Sequence, residues 1–523
     1  MSGDKNENVN RHMNIGQLIS KRAYLHPDKL SINDVLADRS FCYAELNARA
    51  NRACGVLGAL GLAKGDRVAL LIYNGHEFLE AFFAIAKIGL VAVPINWRLT
   101  TREISHILKD CGATSIIFDS EFSATIGEIR KKGNEGSAIE HWLEVRGRKV
   151  DFALDYEQLL LSQDVEEPAT TATGDDNLFI MYTSGTTGHP KGAVHTHSTV
   201  FWSILNNSVS AGMYFDDRHL VVLPLFHIAA LVSTLTALYN GNSLVVLRSF
   251  EPQKSWPIIV DEKISTAVVV PAVLDFMLKV PDFEKYDWST LRWFMSGGAP
   301  LSVETIKVYK NIGIDVIQAF GMTEACGAVC LVGSEDGMRK AGSVGKSYFF
   351  TDLRIVNPGG EDLPPGREGE IIVRSPTIMK EYWNYPEATA DSIHNGWYYT
   401  GDVGVQDQEG FITIKGRIRD MVISGGENVY PAEVELVLMQ HPDIQDAAVI
   451  GRQSIKWGES PFAVIVPKTA SLTGPEVLSY CDGKLARFKL PKGVVFVDEL
   501  PRNSLGKVLK RVLREQFPDP AAE

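Results

Sequence analysis

Cysteine is scarce in this chain. Six occur among 523 residues, at 42, 54, 111, 326, 330 and 481, and their spacing forms neither a disulfide framework nor a paired metal knuckle. Cys326 and Cys330 lie four apart with no second pair nearby, so they read as small buried hydrophobes. A basic excess is missing as well: 52 Lys and Arg stand against 64 Asp and Glu, a formal net charge of −12. Phosphate backbones select basic patches, so no nucleic-acid partner is expected. No run of about 18 uncharged apolar residues occurs, which argues against a membrane span. Residues 1–10 lack the apolar core of a signal peptide. Cytoplasmic residence with reduced thiols is the expectation. Peripheral membrane association and a homodimer are left open.

The apolar share of 45% and charged share of 22% are those of an ordinary globular protein. A chain of 523 residues is too long for one hydrophobic core and divides into two or more domains. From 15 to about 119, helical and strand-like stretches alternate, as in an α/β layered domain. Apolar spacing predicts a helix from Tyr43 to Leu57 that stops at Gly61, a buried strand over 67–73, a helix over 77–88 closed by Gly89, and a strand over 90–94. Glycines at 55, 58 and 61 mimic a dinucleotide fingerprint but fall inside and at the end of a helix, the wrong place for one. The charged interval 120–176 reads as an irregular connection. Beyond it, 220–227 reads as a buried strand running into His227, with an apolar helix over 228–239.

The stretch Tyr182-Thr-Ser-Gly-Thr-Thr-Gly-His-Pro-Lys-Gly192 stands out, directly behind the apolar run 178–181. Gly185, Gly188 and Gly192 let successive N–H groups converge on an anion. Thr183, Ser184, Thr186 and Thr187 add hydroxyl donors and Lys191 a positive charge. A Walker A loop requires Gly-Lys-Ser/Thr and then a helix. Here Lys191 is followed by Gly192 and a second strand-like run, so that reading fails. Downstream, Gln318-Ala-Phe-Gly-Met-Thr-Glu324 is a strand breaking at Gly321, in which Phe320 can stack a purine, Thr323 can bind the α-phosphate and Glu324 can hold Mg²⁺. Trp397-Tyr-Tyr-Thr-Gly-Asp402 places Asp402 at the end of an aromatic strand, where a carboxylate can accept from both ribose hydroxyls. Taken singly, each could be a polar turn or a surface ion pair.

Together, and in this order, the motifs resemble the adenylate-forming superfamily of acyl-CoA synthetases, aryl-CoA ligases, peptide-synthetase adenylation domains and luciferases, over roughly residues 15 to 515. The resemblance implies that the hydroxyl-rich loop grips the β- and γ-phosphates of ATP. It makes Gly297-Gly298-Ala299-Pro300 a wall of the adenine site beside Gln318 and Ala319, and Arg417 a second ribose or phosphate contact. His227, counted with Thr323, Glu324 and Lys507 in the catalytic set, borders the acyl pocket, with Trp202, Ala230 and Gly298 as further lining and no basic residue among them. Phe320 departs from the usual Tyr and loses its hydroxyl. Arg419 stands where the hinge residue is commonly Asp or Lys. Gly425 and Gly426 border the CoA entry, Lys489 joins the cofactor-binding set, and Lys507, in Pro501-Arg-Asn-Ser-Leu-Gly-Lys507, is the catalytic lysine.

The fold class expected is α/β, with a large multi-layer N-terminal domain over 1–418 and a small mobile α+β lid over 419–523. The lid is read as a helix over 434–440, strands over 447–450 and 462–466, a helix over 476–485 and a strand over 494–497. The function implied is an ATP-dependent acid–CoA ligase: a carboxylic acid, more a medium or long aliphatic monocarboxylic acid than an aromatic one, is activated as acyl-AMP and passed to CoA. ATP, Mg²⁺ and CoA are the cofactors. Transfer to a carrier protein or another acceptor, an aryl-CoA ligase, and a nucleotide-binding regulator without turnover are the alternatives.

Overall fold

The computed structural model describes residues 13–131, 138–147, 150–183, 190–299, 301–424, 427–454, 457–502 and 508–518. The chain separates into two compact units. The first comprises 1–352 and 373–398, the second 353–372 and 399–523.

Two sheets build the first unit. One has eight strands in the order Glu381–Tyr382, Lys191–Thr196, Asn177–Thr183, Val91–Pro94, Arg67–Leu71, Ser115–Asp119, His141–Val145 and Leu154–Asp155. The other has nine, with a parallel middle running from Asp315–Met322 through Trp293–Ser296, Thr266–Val269, Arg218–Val221 and Ser243–Val246 to Leu30–Asp34. The largest core joins apolar faces of both sheets to the helices Tyr43–Ala59, His76–Ile88, His197–Ser210 and Ile228–Asn240. Phe82, Phe83 and Phe179 are fully buried there, each contributing about 2–3 kcal/mol by removal from water. His76–Ile88 is buried along nearly its whole length and ends at Gly89, whose φ of 76° suits a residue without Cβ. Its interior charges are paired, as buried charges must be. Arg49 grips Glu80, and Lys87 reaches Asn47, Asn51 and Glu167.

Two stretches differ from the sequence reading. The interval 120–176 is not an irregular connection: it holds the helices Ser123–Lys131 and Tyr156–Leu161 and the strand His141–Val145, parallel to Ser115–Asp119. The charge that disguised this strand is Glu144, buried because Ser123 Oγ donates to its carboxylate at 2.5 Å. The strand expected over 220–227 ends at Val221. Pro224 has no N–H for a ladder, and the Asn74 side chain takes over, donating to Leu223 O and accepting from Leu225 N–H, both at 2.9 Å.

The second unit contains most of the strands Asp352–Val356, Glu368–Arg374 and Trp397–Gln406, with Ile412–Arg417 added. It also has a sheet of Glu427–Val429, Val422–Ser424, Gly458–Pro467 and Ile444–Ser454, to which Val494–Phe496 adds in parallel. Pro431–Leu438 and Gly474–Cys481 pack on that sheet through Val434, Leu438, Val477 and Cys481.

Candidate active site

The parallel strands of the nine-stranded sheet finish on one edge, so the turns after Arg218–Val221, Thr266–Val269, Trp293–Ser296 and Asp315–Met322 lie side by side. Ligands gather at such carboxyl edges in open α/β sheets. Gly297 sits where two strand ends nearly touch: a Cβ there would stand 2.5 Å from the carbonyl oxygen of Ala319. Gly298 has φ +81° and open space on its Cβ side, and Ala299 is exposed. Pro300 lies outside the described residues. Ser296 and Gln318 face each other across the strand pair. Both are buried, and Ser296 Oγ and Gln318 Nε2 have no hydrogen-bond partner among the described residues. Buried polar groups normally have a partner. Ala319, Phe320 and Gly321 are half-buried beside them.

Thr323 and Glu324 form a single 3₁₀ turn with Ala325. The turn is clamped from two sides: His195 Nε2 bonds to Thr323 O at 2.7 Å and Met379 N–H donates to Glu324 O at 2.7 Å. His195 is fully buried, and burial holds its pKa down to about 4, so the neutral ring donates through Nε2. Glu324 is half-buried, with one carboxylate oxygen accepting from the Tyr382 phenol at 2.8 Å. Burial and this carboxylate push the phenol pKa up and keep it a donor.

The strands on either side of the hydroxyl-rich motif, Asn177–Thr183 and Lys191–Thr196, pair antiparallel. Thr183 pairs with Lys191, and Thr183 Oγ1 donates to Lys191 O at 3.4 Å. Ser184, Gly185, Thr186, Thr187 and Gly188 lie outside the described residues. Lys191 Nζ stands 5.3 Å from the centre of the Tyr382 ring. Gly192, the last glycine of the motif, is needed for packing: a Cβ would meet Ile180 at 2.5 Å.

His227 precedes the helix Ile228–Asn240, with Ala230 buried in its first turn. Its Nε2 is shielded and has no hydrogen-bond partner among the described residues, and burial together with the positive charge of Arg98 brings its pKa down to about 3. Arg98 lies over the Trp97 ring at 4.5 Å, Trp97 meets Phe226 at 5.9 Å, and Phe226 meets His227 at 4.4 Å. Trp202 lines a surface hollow of about 380 Å³ with Phe349, Phe350, Thr351, Asp352, Arg374, Ser375 and Pro376.

In the second unit, Asp402 lies within the strand Trp397–Gln406 rather than at its end. It is opposite Arg417, whose Nε is 3.0 Å from the Asp402 carboxylate. Arg419 occupies the 3₁₀ turn Ile418–Asp420, where burial opposes its charge. Lys489 donates to both oxygens of Glu433 at 2.7 Å. Gly425, Gly426 and Lys507 lie outside the described residues. All six cysteines are unpaired; five are buried and Cys42 is half-buried. Burial pushes the thiols of Cys54, Cys111 and Cys330 up to about 12.

A family model described as AMP-binding enzyme matches residues 19–383, and one described as AMP-binding enzyme C-terminal domain matches 433–507. The chain belongs to the AMP-binding enzyme family. This AMP-binding enzyme is 44% identical over 504 residues to long-chain-fatty-acid–CoA ligase FadD13 of Mycobacterium tuberculosis, covering 96% of this chain and 98% of that one. It is 37% identical to a feruloyl-CoA synthase of an Amycolatopsis species, covering 97% of this chain and all of the relative. Among solved structures it matches o-succinylbenzoate coenzyme A synthetase (MenE) from Bacillus subtilis in complex with ATP and magnesium ion. That match has a TM-score of 0.84 and 31% identity over 95% of this chain and 99% of the other. The AMP-binding enzyme is thus an AMP-forming ligase of the acyl-CoA synthetase type. No described helix is long and apolar enough to cross a membrane.

A divalent cation with nucleotide phosphates fits the residues present. The second oxygen of Glu324 has no protein donor among the described residues, and oxygen ligands of this kind suit Mg²⁺. Sequence reasoning passed over three residues here. Tyr382 carried an aromatic signal in Glu381-Tyr-Trp383, Arg98 follows a strand in Asn96-Trp-Arg98, and His195 stands in His195-Thr-His197. None has local spacing that points to chemistry.

Proposed function

We propose that this enzyme is an ATP-dependent acid–CoA ligase that works in two half-reactions. It uses ATP, Mg²⁺ and CoA. A carboxylate oxygen attacks the α-phosphorus of ATP in line, and pyrophosphate leaves. The CoA thiolate then attacks the acyl carbonyl, and AMP leaves with the carboxylate oxygen. Mg²⁺, when bound, neutralises charge on the phosphates. Thr183 to Gly188 and Lys191 hold the β- and γ-phosphates, Thr323 the α-phosphate, and Glu324 the cation. Gln318 to Gly321 and Gly298 to Pro300 hold the base, Asp402 and Arg417 the ribose, and Lys507 the charge that develops during adenylation. The region 419–523 acts as a lid turning about Arg419, with Gly425, Gly426 and Lys489 on the CoA side. The enzyme works in the cytoplasm.

The observation that carries this reading is Glu324: a half-buried carboxylate, fixed at one oxygen, on the strand edge beside the hairpin that bears Lys191. For the acid, a medium or long aliphatic monocarboxylic acid is supported by the fatty-acid ligase at 44% identity and by the small Ala230 beside His227. A second reading, an acid with an aromatic or polar terminus, is favoured by Arg98 beside His227 and by the feruloyl relative. One experiment tests both levels. ATP–pyrophosphate exchange and thioester formation are measured for wild type and Lys507→Ala across aliphatic, aromatic and dicarboxylic acids. Lys507→Ala should lose about 10²-fold or more in exchange and still make thioester from supplied acyl-adenylate. Equal loss in both steps contradicts the role of Lys507, and a dicarboxylic or amino acid outcompeting every fatty acid contradicts the substrate class.

A further inference from the structure

The segment Glu381–Tyr382 ties together parts of the site that lie far apart in sequence. Its backbone pairs with Val194 and Ala193 on the strand leaving the hydroxyl-rich loop, and Trp383 N–H donates to Gly192 O at 2.7 Å. The Tyr382 ring packs with Ala193, Met379 and Tyr398, beneath Lys191. Packing alone would be served by phenylalanine. The phenol instead reaches Glu324 Oε1 at 2.8 Å, closer than the 3.4 Å to the Tyr398 phenol. The backbone around Glu324 is already held by His195 and Met379. The phenol removes the remaining freedom, that of the carboxylate itself.

We propose that Tyr382 is a positioning residue for adenylation: it fixes one oxygen of Glu324 so that the other faces the divalent cation of bound nucleotide. This rests on the reading of Glu324 as a cation ligand. Groups that hydrogen-bond a ligating carboxylate commonly set metal affinity by about 10- to 100-fold. The neighbouring Tyr398 makes no such bond to Glu324 and serves as the control.

The probe is Mn²⁺, with its affinity read by electron paramagnetic resonance on the full-length enzyme holding a non-hydrolysable ATP analogue. Tyr382→Phe should weaken Mn²⁺ binding by about 10-fold or more and leave metal-free analogue binding and the melting temperature unchanged. Tyr398→Phe should leave Mn²⁺ affinity as it is. In a Glu324→Gln background, Tyr382→Phe should cause no further loss. Unchanged Mn²⁺ affinity in Tyr382→Phe, or the same loss with and without Glu324, overturns the role of Tyr382. Unchanged affinity in Glu324→Gln alone overturns instead the reading of Glu324. Should Tyr382→Phe fold poorly, 3-fluorotyrosine labelling of the wild type gives the answer. The Tyr382 resonance must broaden when Mn²⁺ and the analogue are added, and a spectrum that spares it refutes the proposal.

Discussion

His197 Nδ1 accepts the Ile15 N–H at 3.0 Å, and its Nε2 is buried without a hydrogen-bond partner among the described residues. A protonated ring could not accept that bond, and burial brings the pKa from 6.5 down to about 3. The unfolded chain therefore takes the proton first. The stability contributed by the neutral ring is present above pH 6.5 and is lost as pH falls from there towards 3. At pH 5 the loss is about 2 kcal/mol for this residue alone. His195, His219 and His227 act in the same direction. Urea unfolding at pH 7 and pH 5 should reveal the drop, and His197→Asn should be less stable at pH 7 with a shallower pH slope. An unchanged slope would mean that His197 is not held neutral. At this scale Glu324 and Asp402 were marked out as candidates in the sequence because short motifs carry them. Tyr382 and Arg98 were not, because what gives each a role is a contact across the fold: 58 residues separate Tyr382 from Glu324.

Among the elements, the hairpin of Asp315–Met322 and Gly327–Val332 carries Thr323 and Glu324 at its turn and leaves little room for change. Gly321 crosses so close to its partner strand that a Cβ would overlap the Gly327 carbonyl and stand 2.5 Å from Ala328 Cα. Backbone cannot yield as a side chain would. Gly321→Ala should cost roughly 1–3 kcal/mol and lower ATP–pyrophosphate exchange. Gly313→Ala, at φ +86° with open space around it, should cost only about 1 kcal/mol and spare exchange. Thermal melting and the exchange assay on both variants decide it, and equal melting points would remove the close approach as an explanation. Helices and strands with plain apolar spacing, such as His76–Ile88, were legible in the sequence. The strand His141–Val145 was not: its buried Glu144 is neutralised as a sequence signal only once Ser123 is seen to bond to it. The end of Arg218–Val221 was hidden for a related reason, since the side chain that replaces the ladder, Asn74, is some 150 residues away in the chain.

For the molecule as a whole, the division into two units raises the question of what moves. Arg419 stands in a one-turn helix, and its neighbour Asp420 is held by Arg514 at 3.1 Å. If the lid turns about Arg419, Arg419→Pro should lock it by fixing φ and restricting Ile418. Adenylate formation would then continue near its normal rate while thioester formation collapses. Normal thioester formation by this variant would rule out rotation at that residue. The sequence made the two-part plan legible through its length and the motifs flanking residue 419. The break expected at 418/419 differs from the observed grouping, in which both 353–372 and 399–418 go with the second unit, because that association is made by strand pairing and has no local signature. One further feature acts across the whole molecule. A catalyst that generates an activated acyl group beside a thiol acceptor is exposed to its own thiols, any of which could be acylated in place of the intended acceptor. Five of the six cysteines are buried, and those at 54, 111 and 330 are held protonated far above neutral pH. Thiolate is the nucleophilic form. The fold therefore leaves the incoming pantetheine sulfur with scarcely a competitor, and self-modification is suppressed by the same burial that packs the core.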